Sequence, residues 1–418
     1  MKYVVIGNSA AGIGAVEGIR QVDKQGEIIV ITNEPHHTYS RPLISYLLLG
    51  KVSNEKMKYR SDSFYTDNNC TLLHGIVTAV EAEAKQVILS DNIKVTYDKL
   101  LVATGSCAFV PPFEGLDTVT EKHTFMSLDD ALGLSDALSC DKRVLIVGAG
   151  LIGLKCAEGI LGRVGQITVV DFAPRILSSI LDDDGAKLVQ KHLENKEIKF
   201  FLSNKVKSFE KNTAVLEDGQ TIAFDILVLA VGVRPSTALL EGVAEIDKGI
   251  LISEKSETTA CNIYAAGDCA QALDISSGRS KIMALLPNAY MQGECAGINM
   301  AGGDKVFANA IPMNAIGFCG LHIITAGNYV GEVYSEEPSS VDEGEDPASS
   351  CYKRLFYSDN KLNGYILIGN VEKAGIYTNL IRERTPLDTI DFSLVCKKPG
   401  LMAFTKEYRQ EKLGGEEK

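Results

Sequence analysis

Tryptophan is absent from the 418-residue chain, and none of its ten cysteines form a Cys-x-x-Cys pair. That spacing is typical of zinc ribbons, ferredoxin-type clusters and thioredoxin-type redox sites, so the sequence indicates no metal or dithiol centre. Free thiols in a reducing compartment are the simpler interpretation. No apolar run of about 20 residues escapes charge or glycine, so we expect no membrane span. The first apolar run, Tyr3–Ile6, is too short for a secretory signal, and we expect a cytoplasmic protein.

Positive charge is also scarce. The chain has 42 Lys and Arg against 54 Asp and Glu, a formal net charge of −12. Phosphate backbones require a basic surface, so nucleic-acid binding is disfavoured. Hydrophobic residues make up 45% of the chain and charged residues 23%, as in ordinary globular proteins. At roughly 100–200 residues per domain, this length predicts two to four domains.

The chain contains an internal repeat. YVVIGNSAAGIGAVEGI at 3–19 aligns without gaps with VLIVGAGLIGLKCAEGI at 144–160. Each copy reads as a buried strand, a glycine turn and an apolar helix. In each copy a second strand then leads to a carboxylate, and a later strand ends at a glycine. We therefore predict two βαβ nucleotide-binding units.

The two glycine turns have the spacing that binds a pyrophosphate. A strand that enters a helix through such a turn points the helix N-terminus at the phosphates. The first glycine makes the turn, the second lets the phosphate approach, and the third lets the helix pack on the strand. The second copy, GAGLIG at 148–153, has the full pattern, whereas Ser9 replaces the middle glycine in GNSAAG at 7–12.

A carboxylate about 20 residues after the last glycine is expected to bind a ribose diol. Glu34 and Asp171 stand at this place in the two copies. A carboxylate there repels a 2′-phosphate, and no arginine follows directly in DFAP at 171–174. We therefore expect NAD(H) rather than NADP(H) at the second unit.

These residues resemble the FAD-dependent pyridine nucleotide–disulfide oxidoreductase superfamily over nearly the whole chain. Further matches are YSRP at 39–42, ATG at 103–105, GVRP at 232–235 and YAAGD at 264–268. The resemblance implies an α/β fold with two Rossmann-like domains of the glutathione-reductase type, which bind FAD and NAD(H), and a C-terminal α+β interface domain. The implied limits are 1–112 with 249–310 for the FAD domain, 113–248 for the NAD domain, 311–395 for the interface domain and 396–418 for a tail.

The resemblance also implies a set of binding residues, with flavin N5 as the reactive centre and no catalytic side chain. The helix beginning near Pro287 would turn its positive end to the isoalloxazine ring. The implied FAD-binding residues are Gly7, Ser9, Ala10, Ala11, Gly12, Glu34, Arg41, Pro42, Val77, Ala103, Thr104, Gly105, Gly267, Asp268, Pro287, Asn288 and Phe318. The implied NAD-binding residues are Gly148, Gly150, Leu151, Ile152, Gly153, Asp171 and Gly232.

The segment implied to lie beside the flavin lacks the cysteine that a disulfide reductase needs, since residues 41–51 read RPLISYLLLGK. The same absence argues against a cysteine-dependent oxidase. RPLIS at 41–45, PMN at 312–314 and GYILIG at 364–369 instead resemble the branch of NADH:rubredoxin reductases, ferredoxin reductases and the flavin portion of assimilatory nitrite reductases. Lys155 departs from this branch, in which many members have glutamate.

The resemblance implies hydride transfer from nicotinamide C4 to flavin N5, and electron exchange with an iron–sulfur carrier of the rubredoxin or ferredoxin type. The alternative is a subunit that takes electrons from a ferredoxin-like subunit of a larger redox complex, for example one linked to CO dehydrogenase, and reduces NAD⁺. A non-catalytic flavin-binding sensor is disfavoured by the intact second turn. We expect a monomer or homodimer, an acidic loop over 332–345, and a flexible or partner-binding tail from 396.

Overall fold

The structure, a computed structural model, describes residues 1–308, 310–336 and 351–413. The chain forms two compact units. The first consists of Met1–Leu177, Glu194–Leu273 and Ser280–Ala310, and the second of Ser178–Leu193, Asp274–Arg279 and Ile311–Lys418.

A five-stranded parallel sheet forms the first nucleotide-binding half of the first unit. Its strands, in spatial order, are β19 (Ile263–Ala265), β7 (Lys99–Val102), β1 (Lys2–Ile6), β2 (Glu27–Thr32) and β3 (Cys70–His74). Both faces of this sheet are covered, which is why its strands are continuous apolar runs. Along β1, for example, Val5 packs into one hydrophobic cluster and Val4 into another.

The second half repeats this sheet. Its spatial order is β12 (Ile198–Phe201), β11 (Gln166–Val170), β10 (Arg143–Val147), β16 (Ile226–Leu229) and β9 (Lys122–His123), again with parallel pairs. The central strand β10 lies between β11 and β16, as β1 lies between β2 and β7. The predicted repeat and the predicted α/β class are thus confirmed.

Small sheets complete the first unit, and two of them, both antiparallel, also repeat. The strands β4 (Val77–Glu81), β5 (Gln86–Leu89) and β6 (Lys94–Thr96) correspond to β13 (Val206–Glu210), β14 (Thr213–Leu216) and β15 (Thr221–Ala223). The remaining strands are β8 (Ser106–Ala108), which pairs with β17 (Val233–Pro235), and β18 (Ile250–Leu251), β20 (Ala270–Asp274) and β21 (Arg279–Lys281).

The described residues of the first unit form six α-helices, two of which pack closely. They are α1 (Ala10–Val22), α2 (Ile44–Leu48), α3 (Phe64–Asp67), α4 (Leu128–Ala137), α5 (Leu151–Gly159) and α7 (Leu286–Met300). Glycines on α1 and α7 face each other's backbone. A Cβ atom on Gly18 would lie 2.3 Å from the Glu294 carbonyl oxygen, and one on Gly297 would lie 2.2 Å from that of Ala15. The close approach also places Gly293, in the middle of α7, against Ala11 of the first glycine turn.

The second unit contains an antiparallel sheet with helices on it. Its strands, in spatial order, are β22 (Met313–Phe318), β23 (Leu321–Gly327), β26 (Lys361–Gly369), β25 (Cys351–Ser358) and β24 (Glu332–Glu336). Its helices are α6 (Asp183–Glu194), α8 (Ala374–Arg382), α9 (Phe392–Lys397) and α10 (Lys406–Leu413). Tyr365 from the sheet and Tyr377 from α8 are fully buried in one cluster.

Two segments of the second unit differ from the sequence-based expectation. Glu332–Glu336, expected within a loop, forms the edge strand β24, and residues 337–350 lie outside the described residues. The expected tail begins inside α9, where Cys396 is buried, and Phe404 packs in the same core. Apolar side chains beyond residue 395 therefore belong to the interface domain's core.

The predicted domain limits stay a prediction, but the compact units group one segment differently. Residues 178–193, expected in the NAD domain, belong to the second unit. Polar contacts hold them there: the Tyr352 hydroxyl donates to both carboxylate oxygens of Asp182 at 2.6 Å, and Arg354 donates to Asp184 at 3.0 Å. Among the described helices, none is long and apolar enough to cross a membrane.

Replacing Gly297 by alanine should test the contact between α1 and α7. The new Cβ would collide with backbone that cannot move aside, so we expect a loss of about 1–3 kcal/mol in the free energy of unfolding. Gly133→Ala on α4 is the matched control, because its Cβ would meet no atom closer than 3.9 Å. This control should be neutral or more stable by up to about 1 kcal/mol. Equal stability of the two variants in chemical denaturation would contradict the packing argument.

Candidate functional site

The two glycine turns have the same geometry. Gly7 and Gly148 have φ angles of +121° and +117°, which side chains rarely adopt. A Cβ atom on Gly7 would lie 2.1 Å from the carbonyl oxygen of Ala103, and one on Gly148 would lie 2.2 Å from that of Ala230. Only glycine can bring the two strand ends together this closely.

The third glycine of each turn is in close contact with backbone, whereas the middle glycine of the second turn borders open space. A Cβ on Gly12 or Gly153 would lie 2.0 Å from the carbonyl oxygen of the first glycine, so the third glycine lets the helix pack on the turn. Gly150, in contrast, has no atom within 4 Å of its ideal Cβ position. The space beside Gly150 is where the pyrophosphate of a dinucleotide is expected, and Ser9 takes the equivalent place in the first turn.

Helices α1 and α5, which begin at the two glycine turns, and helix α7, which begins at Leu286, start without a side-chain cap. The N-cap residues of α1, α5 and α7 are Ser9, Gly150 and Leu285, and none makes a side-chain cap hydrogen bond. By comparison, α4 begins with a full capping box in which Ser127 and Asp130 bind each other's backbone N–H groups. Uncapped N-termini carry unsatisfied N–H groups and partial positive charge, which suit a pyrophosphate or an anionic flavin.

Asp171 is tied to the second turn by backbone hydrogen bonds. Its two carboxylate oxygens accept from Ala149 N at 2.5 Å and from Ala173 N at 2.8 Å. The predicted ribose carboxylate is therefore oriented by the glycine turn itself. Leu151 and Ile152 occupy the first turn of α5, next to this carboxylate's anchor.

Glu34 is held instead by side chains that the sequence analysis did not pair with it. The hydroxyl of the buried Tyr39 donates to Glu34 Oε2 at 2.7 Å, and the Arg41 guanidinium forms an ion pair with Oε1. The Tyr39 hydroxyl also accepts from Leu128 N at 3.0 Å, and Arg41 donates to the Met126 carbonyl oxygen at 3.1 Å.

Tyr39 and Arg41 therefore connect the predicted FAD carboxylate with the segment that enters α4. Leu128 is far from Tyr39 and Arg41 in the sequence, so no local pattern indicated that these residues meet. Burial raises the pKa of Tyr39, so its hydroxyl keeps its proton as a donor.

The ATG and GVRP turns meet in the structure. Strands β8 and β17 pair antiparallel, Thr104 Oγ1 donates to the Ser236 carbonyl oxygen at 2.6 Å, and Ser236 N donates to the Gly105 carbonyl oxygen at 2.9 Å. Gly105 and Gly232 have positive φ angles and no atom within 4 Å of their Cβ positions. The pairing of β8 with β17 therefore joins the two halves of the repeat at the ATG and GVRP turns.

The YAAGD segment at 264–268 lies against α1 and α7, since Gly267 packs against Ala11 and Ala289. Gly267 N donates to the buried Gln292 Oε1 on α7 at 2.9 Å, a contact that the sequence did not indicate. Ser106 donates to Asp268 at 3.2 Å. Burial is the largest influence on Asp268, and it raises the pKa of this carboxyl above its usual value, against the opposing effects of Ser106 and Arg41.

The remaining predicted FAD residues are placed as follows. Ala10 and Ala11 begin α1, and Pro287 and the buried Asn288 lie in the first turn of α7. Pro42 follows Arg41 in a short helical turn, and Val77 begins β4. The carbonyl oxygen of Ala103 lies against Gly7. Phe318 lies in the second unit, buried at the end of β22. All of the predicted residues except Phe318 lie in the first unit.

Lys155 lies one turn into α5 and is largely buried. It forms an ion pair with the buried Glu158, and its ammonium lies 4.4 Å from the centroid of the Tyr46 ring on α2. Lys155, which stands where many members of the branch have glutamate, therefore lies between α2 and α5, and Glu158 compensates its charge.

Two cysteines near the predicted sites, Cys269 and Cys156, are buried, whereas Cys107 on β8 is exposed. Cys269, next to Asp268, is fully buried, and its thiol donates to the carbonyl oxygens of Val102 and Ala266. Burial raises the pKa of Cys269 and of Cys156 on α5, so neither thiol ionises readily. Neither Cys269 nor Cys156 is therefore suited to reduce a disulfide.

Two family models match the chain. Residues 1–293 match the pyridine nucleotide-disulphide oxidoreductase model, and residues 312–385 match the rubredoxin NAD⁺ reductase C-terminal domain. A curated relative, the NADH-dependent phenylglyoxylate dehydrogenase subunit epsilon of Aromatoleum evansii, is 33% identical over 92% of this chain and 92% of its own. The NADH-rubredoxin oxidoreductase of Clostridium acetobutylicum is 27% identical over 88% of this chain and 91% of its own.

A solved structure has the same fold over the full length. In the covalent putidaredoxin reductase–putidaredoxin complex, the matching chain superposes with a TM-score of 0.85 and covers 100% of this chain and 99% of its own. Its sequence identity is 21%, so the likeness is one of fold.

The hydroxyl of Tyr39 can be tested by Tyr39→Phe. We expect FAD to bind roughly tenfold more weakly, because Glu34 loses a donor and a hydrogen bond to a charged group contributes about 1.5–3 kcal/mol. The measurement is the recovery of flavin fluorescence on dilution of the loaded protein. Tyr97→Phe is the matched control, since the buried Tyr97 hydroxyl has no hydrogen-bond partner. Unchanged retention of FAD in Tyr39→Phe would refute the role given to this residue.

Asp268 should lower the stability of FAD-free protein at neutral pH. Because the folded state raises its pKa, the fold binds this proton more tightly than the unfolded chain, and stability falls as pH rises through the carboxyl range. We expect Asp268→Asn to raise the melting temperature of FAD-free protein by roughly 2 °C at pH 7, with a smaller gain at pH 4.

Asp225→Asn should have the opposite sign, since Arg143 lowers the pKa of Asp225 to about 2. In FAD-loaded protein, Asp268→Asn should weaken flavin binding. A melting temperature of FAD-free Asp268→Asn below that of the wild type at pH 7 would contradict the first expectation.

Proposed function

The chain belongs to the pyridine nucleotide-disulphide oxidoreductase family, and from this premise we propose that it passes electrons between NADH and an iron–sulfur carrier protein of the rubredoxin or ferredoxin type. It is an NADH-dependent flavin oxidoreductase whose cofactors are FAD and NAD(H). The observation that carries the carrier proposal is the combination of two dinucleotide turns with a C-terminal domain of the rubredoxin reductase type.

The first turn and its surroundings suit FAD. The uncapped N-terminus of α1 would hold the pyrophosphate, and Glu34 would accept from the adenosine ribose while Tyr39 and Arg41 hold it in place. Asp268 would lie along the ribityl chain. The positive N-terminus of α7, which begins near Pro287, would favour a negative charge on the flavin ring.

The second turn suits NADH. Gly150 leaves space for the pyrophosphate at the start of α5, and Asp171 presents a carboxylate that is already oriented by Ala149 N. An oriented carboxylate can accept from a ribose 2′-hydroxyl and repels a 2′-phosphate. This supports the preference for NADH over NADPH.

No side chain is required to move a proton during the reaction. Bound FAD supplies the exchange between hydride chemistry and one-electron transfer. The protein's part is to bind and orient both nucleotides. The segment implied to lie beside the flavin, RPLISYLLLGK at 41–51, contains no cysteine that could accept the electrons, and Cys269 is buried. Electrons would therefore leave to a separate protein rather than to an internal disulfide.

The alternative is a subunit that receives electrons from a ferredoxin-like subunit of a larger complex, such as one linked to CO dehydrogenase. It is less favoured, because residues 312–385 match the rubredoxin reductase C-terminal domain. The relative from A. evansii is named as a subunit of a dehydrogenase, so isolation of the chain in a stable complex with catalytic subunits is the observation that would favour this alternative.

The assembly and location follow from the same proposal. We expect a monomer or homodimer, which light scattering of the purified protein would measure. Among the residues whose side chains the structure describes, nine cysteines are free thiols, including the exposed Cys107, Cys140 and Cys261. Free thiols suit a reducing compartment such as the cytoplasm.

Anaerobic stopped-flow measurement of flavin absorbance tests the function. NADH should bleach the flavin at least roughly tenfold faster than NADPH, and Asp171→Asn should narrow that difference, because the repelling charge is removed. Asp117→Asn, at an exposed aspartate of the first unit, is the matched control and should leave the ratio unchanged. The reduced protein should then be reoxidised by rubredoxin or ferredoxin faster than by a small disulfide or by oxygen.

Three results would contradict parts of the proposal. If NADH failed to bleach the flavin, the proposal that NADH is the electron donor would be refuted. Equal rates with NADPH would refute the role of Asp171. Rapid reoxidation by a small disulfide, with slow reoxidation by both iron–sulfur proteins, would refute the proposed acceptor.

A further inference from the structure

One aromatic side chain at the second turn is exposed without an evident structural reason. Phe172, directly after Asp171, has 70% of its surface accessible. Within residues 1–308, 310–336 and 352–410, for which side-chain burial is described, it is the only exposed phenylalanine or tyrosine. Its neighbour Ala173 is buried.

The backbone that carries Phe172 is firmly held. Asp171 N donates to the Phe201 carbonyl oxygen at 3.0 Å, and the Asp171 carbonyl oxygen accepts from Asn204 N at 3.1 Å. On the other side, the Ala173 carbonyl oxygen accepts from Ser203 N at 2.9 Å. The exposed ring therefore projects from an ordered strand end and not from a loose loop.

The position of the ring relates it to the dinucleotide turn. Phe172 follows strand β11, which pairs with β10, and ligands of parallel sheets bind beyond the carboxyl ends of such strands. Asp171 is bound to Ala149 of the turn, so the next residue stands on the ribose side of the pyrophosphate space beside Gly150. The part of a dinucleotide that lies beyond this ribose is its purine ring.

We propose that Phe172 stacks on the adenine ring of NAD(H) and supplies affinity that is separate from the Asp171 contact with the ribose. This inference rests on the proposed use of NADH at the second turn. Stacking of a base on an aromatic side chain needs no hydrogen bond and covers the apolar faces of both rings. The fold thus keeps an aromatic ring exposed because a ligand covers it.

The experiment measures ligand binding to the FAD-loaded protein by calorimetry, with ADP-ribose and nicotinamide mononucleotide as probes. ADP-ribose contains the adenine and both phosphates, whereas nicotinamide mononucleotide lacks the adenine. Phe172→Ala should weaken ADP-ribose binding roughly tenfold. It should leave the binding of nicotinamide mononucleotide, and flavin reduction by its reduced form, unchanged within about twofold.

Phe172→Tyr keeps the ring and should bind ADP-ribose within about threefold of the wild type. Val330→Ala, at another exposed apolar position, is the control and should change neither ligand. Unchanged ADP-ribose binding by Phe172→Ala, or an equal loss for both probes, would overturn the stacking proposal. A changed elution volume of Phe172→Ala in size-exclusion chromatography, with unchanged ADP-ribose binding, would overturn the proposal and indicate an interface between copies of the chain.

Failure of the proposed function would look different. If the wild type bound no ADP-ribose and NADH did not bleach its flavin, the second turn would not be an NAD(H) site at all. If the wild type bound ADP-ribose and Phe172→Ala bound it equally well, only the role of Phe172 would fail.

Discussion

The close approach of two glycines to neighbouring strand ends is the constraint on which the rest of the first unit depends. Gly7 lies against the carbonyl oxygen of Ala103, and Gly148 lies against that of Ala230, at distances that leave no space for a Cβ atom. These contacts let each strand turn sharply into its helix, so that the helix N-terminus faces outward beyond the sheet. A side chain at either glycine would move the helix and with it the anion-binding N–H groups.

This arrangement leaves unsatisfied groups that a cofactor can use. The helices α1 and α5 begin at the glycine turns without side-chain caps, so the N–H groups of their first turns can bind a phosphate. Asp268 is similarly unfavourable as an ion in its buried place. Such features lower the stability of the protein without its cofactors and increase the gain in free energy when the nucleotides bind.

Much of the first unit could be predicted because its signals are local. The glycine turn, the buried strand before it and the carboxylate about 20 residues later recur in two copies, and a repeat is strong evidence where a single copy is weak. The contacts of Tyr39 could not be predicted, since its hydroxyl meets Leu128 N across a separation of 89 residues. The packing of Cys396 and Phe404 was also missed, because a polar composition near the C-terminus concealed a few apolar side chains that reach the core.

The sequence by itself determined the class of fold, the two dinucleotide turns and the absence of a thiol in the segment 41–51, because glycine spacing, strand hydrophobicity and cysteine position are properties of short segments. Only the tertiary structure decided how the predicted carboxylates are held: Glu34 by Tyr39 and Arg41, Asp171 by Ala149 N. It also decided that Phe172 stands exposed at a strand end whose neighbouring backbone groups are hydrogen-bonded. These properties depend on which distant elements meet, and that is set by the packing of the whole unit.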